Sequence, residues 1–173
     1  MIELPKHLQR CALEVDGWLD LGCPERALQS IDRLLEDPVA RPVAWMLRVR
    51  ALVPLGRHAD ALQDLTELRR LPKTDVDQPW LELTEAWCRK RLDDLPGAIE
   101  CMRRLLETNP RSAIGHFNLA CYLALHGDSD RAVEELAIAC GLDEEFRALA
   151  RTEADLVSLR RDPRYRALLP KEE

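Results

Sequence analysis

Six cysteines (Cys11, Cys23, Cys88, Cys101, Cys121, Cys140) and four histidines (His7, His58, His116, His126) are the side chains in this chain that could bind a metal ion or supply a nucleophile and its base. No two cysteines stand in the Cys-x-x-Cys spacing that sets two thiolates on one metal ion. Cys121 and His126 come nearest to a reactive pair, but a separation of five on one helix turns the two side chains apart. The histidines fall in different parts of the chain, so neither a metal site nor a cofactor is expected. Scattered in this way, the cysteines read as small apolar side chains of a reduced compartment. A glycine-rich phosphate loop, an H-E-x-x-H helix and a G-x-S-x-G elbow are all absent from the sequence, which points away from an enzyme. The carboxylates are plentiful, and on amphipathic helices they form the solvated face.

Charge and hydropathy restrict the partners. The chain has 173 residues, 46% of them hydrophobic, with 31 acidic against 25 basic residues and a net charge of -6. Such a balance disfavours general affinity for nucleic-acid phosphates or anionic lipid. No apolar run approaches the roughly 20 residues needed to cross a bilayer, and the opening MIELPKHLQR lacks the basic-then-apolar order of a secretory signal. The expectation is a cytoplasmic protein with no membrane and no nucleic-acid partner.

Periodicity shows which elements must carry these side chains. Ala27, Ala61, Ala98 and Ala132 each stand just inside an amphipathic run, at intervals of 34, 37 and 34 residues. Four residues after each comes a larger apolar side chain, Ile31, Leu65, Met102 or Leu136, so each pair shares a helical face. An apolar helical run precedes each alanine, across a turn signal: Gly22-Cys23-Pro24, Gly56, Leu92 to Gly97, and Gly127-Asp128. The spacing predicts helix hairpins, with the third carrying the longest internal turn. Pro38, Pro72 and Pro110 punctuate one hairpin from the next, because proline lacks an amide hydrogen and biases the residue before it away from helix.

The pattern resembles the tetratricopeptide repeat, a 34-residue helix-turn-helix written W-x2-L-G-x2-Y, then A-x3-F, then P. The second repeat reads Trp45-x2-Arg48-Val49-x2-Leu52, then Ala61-x3-Leu65 and Pro72; the third reads Trp80-x2-Leu83-Thr84-x2-Trp87, then Ala98-x3-Met102 and Pro110. The fourth reads His116-x2-Leu119-Ala120-x2-Leu123 with Ala132-x3-Leu136, and the first, Cys11-x2-Glu14-Val15-x2-Trp18 with Ala27-x3-Ile31 and Pro38, is the most degenerate. The small position of the first helix holds Val15, Val49, Thr84 and only once an alanine, Ala120. The tail resembles the segment that closes groups of these repeats in many bacterial proteins, with Asp155-Leu156, Leu159-Arg160 and Asp162-Pro163-Arg164 carrying the likeness. Asp162-Pro163 is also a helix start in its own right. The implied fold is all-α: a right-handed α-solenoid of about four hairpins over 1–141 (about 5–38, 42–72, 78–110 and 112–141), closed by a helical cap over 142–173.

In such an array the first helices line a concave groove, and the resemblance implies recognition of a peptide or helix of another protein there. Aligning the first helices places Met46, Arg50, Leu81, Glu85, Phe117 and Cys121 on that groove, with Arg89 one turn beyond Glu85. Arg50 and Arg89 would hold a partner's carboxylate, and Met46, Leu81 and Phe117 would give apolar purchase; alternatively Arg50 and Glu85 pair with each other. The first repeat puts Ala12 and Asp16 where one variant of the family uses lysine and asparagine to grip a C-terminal carboxylate, so that role is not carried over. Arg151, Arg160, Arg161, Arg164 and Arg166 have acidic neighbours and read as a solvated face. Alternative readings are a small acidic chaperone of a secreted or assembling protein, and a self-assembly unit forming homo-oligomers.

Overall fold

The computed structural model describes residues 4–72 and 76–169. Among them the chain is helical throughout: α1 (Lys6–Asp20), α2 (Pro24–Glu36), α3 (Arg41–Leu52), α4 (His58–Arg69), α5 (Gln78–Arg91), α6 (Leu95–Thr108), α7 (Ala113–His126), α8 (Ser129–Leu142), α9 (Glu145–Thr152), a 3-10 segment (Ala154–Arg161) and α10 (Pro163–Leu168). This is the all-α fold of stacked helix hairpins that the sequence implies. Its contacts divide the chain into two compact units, 1–81 and 82–173, with the division inside α5.

In the first unit, α1 packs on α2, α2 on α3, α3 on α4, and α1 also meets α3. The alanine rule sets these approaches. Ala27 and Ala61 are fully buried, as are Ile31 and Leu65 four residues on. A methyl side chain at the closest point lets the backbones near each other, and the larger residue fills the space where they diverge. Leu8, Val15, Leu34, Ala44, Leu47 and Ala51 complete the interior.

The second unit repeats the device. Ala98, Met102, Ala132 and Leu136 are fully buried, and α7 packs on both α6 and α8. The tail is part of this core: the 3-10 segment lies along α7, and α9 and α10 lean on α8. Leu156 and Leu159, three residues apart as the 3-10 period requires, are wholly buried, and Phe146 stacks at 4.9 Å from Phe117. Asp162 caps α10 as its sequence suggests, accepting a hydrogen bond from the Arg164 backbone N–H at 2.8 Å. The C-terminal arginines are partly neutralised, Arg164 by Asp162 and Asp130 and Arg147 by Glu144.

The turns correct one expectation. Gly22, Gly56 and Gly127 have left-handed backbones (φ 68°, 72° and 91°), and the third hairpin has Asp93 there instead (φ 62°). Each stands five residues before its alanine, so the third turn is in register with the others and is not the longest of them, which is the second, between α3 and α4. Pro96-Gly97 resembles a turn in sequence but lies in the first turn of α6, where proline's fixed φ and missing amide hydrogen are both tolerated. The three extra residues of the 37-residue interval fall in the connection 70–77, of which 73–75 lie outside the described residues. A side chain in the left-handed region is strained, so Asp93→Gly is expected to raise the unfolding free energy by about 0.5 kcal/mol, read from urea denaturation.

Candidate functional site

The groove positions divide by burial. Leu81, Glu85, Phe117 and Cys121 are buried, whereas Met46, Arg50 and Arg89 are partly or well exposed. Phe117 and Cys121 line the inward side of α7. Phe146 packs on the first, and Glu153 and Asp155 of the tail and Lys90 of α5 act electrostatically on the buried Cys121 thiol. Lys90 forms an ion pair with Asp155 that ties α5 to the 3-10 segment. The first-helix face of the second unit is therefore occupied by the chain's own C-terminal segment at these two positions.

The two arginines proposed to hold a carboxylate already hold carboxylates of this chain. Arg50 pairs with Asp16 and, at 3.6 Å, with Asp20, both on α1. Arg89 pairs with Glu85 at 2.9 Å and with Asp94 at 2.6 Å. Arg50 and Glu85 are thus each satisfied within their own unit, and Glu85 also lies 3.8 Å from Arg104. Asp16 and Arg50 are 34 residues apart, one repeat, at the same register of adjacent first helices. Opposite charges one repeat apart were the sequence signal for this pair.

Asp94 has a second role as the N-cap of α6. Its Oδ1 accepts the Gly97 N–H at 2.9 Å, and this bond first, with the Arg89 guanidinium second, holds its carboxyl below the ordinary carboxylate range. A β-carbon at Gly97 would lie 2.2 Å from the Asp94 carboxylate and 2.7 Å from the Arg89 guanidinium, so a larger residue there would displace both side chains. A depressed folded pKa contributes stability that is complete above the unfolded value and is lost as pH falls through the folded one. Asp94→Ala is expected to cost about 1 kcal/mol above pH about 5, with the difference from wild type closing below pH about 3, measured by urea unfolding across that range.

One buried group resembles a metal ligand set by residue type. Glu82, Glu85 and Cys101 place a donor atom each within 4.8 Å of one another. A guanidinium already supplies the positive charge: Arg104 donates to Glu82 at 2.8 Å and to the Cys101 sulfur at 3.1 Å. Burial pushes the Cys101 thiol up to about 12, so in this structure it is a neutral thiol beside Arg104. The same cause, burial, pushes Cys88 up to about 11 and raises Cys140. Four of the six cysteines are buried without disulfides, as expected of small core side chains. No helix among the described residues is long and apolar enough to cross a membrane.

A chain built of paired helices, with polar groups engaged in ion pairs across neighbouring helices, has the architecture of the helical repeat folds. Residues 83–145, a little over a third of the chain, match the family model of the tetratricopeptide repeat. Two solved structures share the fold: the MamA RS-1 ArsTM double mutant, 14% identical, with a TM-score of 0.75 over 96% of each chain, and YrrB, a TPR protein with an unusual peptide-binding site, 16% identical, with a TM-score of 0.68 over 93% of this chain and 86% of that one. None of the curated proteins matches the sequence. Over residues 83–145 the chain is thus similar to the tetratricopeptide repeat, and its fold is the one shared by these two solved structures.

Proposed function

We propose that this protein is a non-enzymatic interaction module that binds a peptide segment of another protein along the first-helix face, and that the first unit carries the open part of that face. The observation that carries this reading is the group formed by Asp16, Asp20, Arg50 and Met46 on α1 and α3. Two carboxylates there surround one guanidinium, and the side chains are 42%, 72% and 42% exposed for Asp16, Asp20 and Arg50. The group keeps one net negative charge beside the half-buried Met46. Its ligand is a segment with a lysine or arginine for Asp20 and an apolar residue for Met46. This revises the sign of the ligand from the carboxylate that Arg50 alone suggests. The likeness to YrrB supports peptide binding as the mode, and the covering of Phe117 and Cys121 by the tail supports the first unit as the place.

The test is a selection of displayed peptides on the intact chain, followed by a charge exchange. In the exchange Asp20→Lys the Asp16–Arg50 ion pair is kept while the net charge of the group facing a ligand turns from one negative to one positive. Unchanged helicity and urea midpoint are expected, with affinity for basic-apolar peptides reduced at least about tenfold. If no selected peptide responds to the exchange, the first-helix face of this unit is not the binding surface.

A further inference from the structure

Both units carry the same outer cleft, where a second helix, the next first helix and its partner meet: α2, α3 and α4 in the first unit, α6, α7 and α8 in the second. A shift of 71 residues, two repeats, relates them. Four positions line both clefts: Asp32 becomes Arg103, Arg48 becomes Leu119, Leu52 becomes Leu123, and Asp60 becomes Arg131. The frame is kept and the chemistry is inverted.

In the first unit the cleft, about 350 Å³, is closed from within. The Arg48 guanidinium lies over its floor, held by the buried Asp64 at 2.6 Å, and Asp32 and Asp60 stand at the rim. In the second unit the cleft is about 560 Å³. Glu135, the counterpart of Asp64, faces no arginine at the Arg48 position. It meets the His116 Nδ1 at 2.6 Å, and the other ring nitrogen lies 3.0 Å from the Pro110 carbonyl oxygen. The floor is left to Leu106, Leu119 and Leu123. At the rim, Arg103 and Arg131 have, among the described residues, only long ion pairs, 3.8 Å to Glu100 and 3.7 Å to Asp128, with about half or more of each side chain in solvent. Of the carboxylates that line this cleft, Glu135 is turned to His116 and Glu107 is exposed on α6.

We propose that the outer cleft of the second unit is a docking site for a peptide segment of another protein in which leucine-sized side chains are flanked by carboxylates. The apolar floor takes the side chains, and Arg103 and Arg131, whose forked donors match carboxylates, take the flanking charges. Charge complementarity selects the occupant: at the two positions held here by Arg103 and Arg131 the first unit has aspartates instead, one of them, Asp60, paired with Arg57 at 2.6 Å. This site lies on different helices from the first-helix face of α1 and α3 and takes a ligand of the opposite charge, so it stands whether or not that face binds a peptide.

The experiment uses the full chain and a fluorescein-labelled peptide of alternating leucine and glutamate, read by anisotropy, with a leucine–lysine peptide as its counterpart. Saturable binding of the acidic peptide alone is expected. Arg103→Asp with Arg131→Asp, which copies the rim of the first unit, should weaken it at least about tenfold, and Leu119→Arg, which copies its floor, should do the same. Asp32→Arg with Asp60→Arg should leave it unchanged. Helicity and urea midpoint are measured for each variant, and Leu119→Arg with an intact rim keeps the test open if the double variant fails to fold. Equal binding of the lysine peptide, wild-type affinity in the Arg103→Asp, Arg131→Asp variant, or no saturable binding would overturn the proposal.

Discussion

Replacing Arg48 with alanine will lower the unfolding free energy by about 3 kcal/mol, because it strands a carboxylate in the interior. The Asp64 side chain is only 2% exposed, and Arg48 is the partner that joins α3 to α4 across it. One third of the Arg48 side chain reaches solvent, which admits some water to the pair and places the expected cost at the lower end of the range for buried ion pairs. Removing both charges is a different matter. The second unit has a leucine, Leu119, at the position of Arg48, so an apolar residue fits that slot. Arg48→Leu combined with Asp64→Leu should therefore lie within about 1 kcal/mol of wild type, while either change alone should not. Urea denaturation followed by circular dichroism gives the four corners of the cycle. A single-variant cost below about 0.5 kcal/mol would mean that water screens the pair as it does on a surface.

The second large effect belongs to the tail. Leu156→Ala should cost about 3 kcal/mol, since the leucine is wholly buried against α7 and its truncation leaves a cavity that the packed 3-10 segment cannot close. Val157, the next residue, is 52% exposed, and Val157→Ala should change stability by less than about 0.5 kcal/mol. The contrast separates loss of core packing from any intrinsic preference of the segment for its 3-10 conformation. If the two variants match, the tail is not a structural part of the second unit, and Phe117 and Cys121 return as available groove positions.

Much of the frame could be read in the sequence because close helix approach imposes one small residue per hairpin, and Ala27, Ala61, Ala98 and Ala132 report it directly. Asp162-Pro163 was legible for a similar reason: a capping carboxylate and a proline are local devices whose meaning does not depend on distant contacts. Asp93 was not, because glycine is the usual mark of a left-handed turn residue and Gly97 nearby drew the turn toward itself. The interval of five residues back from Ala98 would have found it. The groove was legible as a face and illegible as a surface. Register places Phe117 and Cys121 on the first-helix side of α7, but nothing in that register shows that Phe146 and the 3-10 segment lie over them. The sequence shows the charge of Arg50 without its partner, since Asp16 lies a full repeat away on the neighbouring first helix.

Peptide recognition at the first-helix face of α1 and α3 is the central proposal for this protein. Amide hydrogen exchange of the full chain, with and without a saturating basic-apolar peptide from the display selection, measures this directly. Added protection is predicted in α1 around Asp16 to Asp20 and in α3 around Met46 to Arg50. Protection confined to the second unit, with exchange in α1 and α3 unchanged, would contradict it.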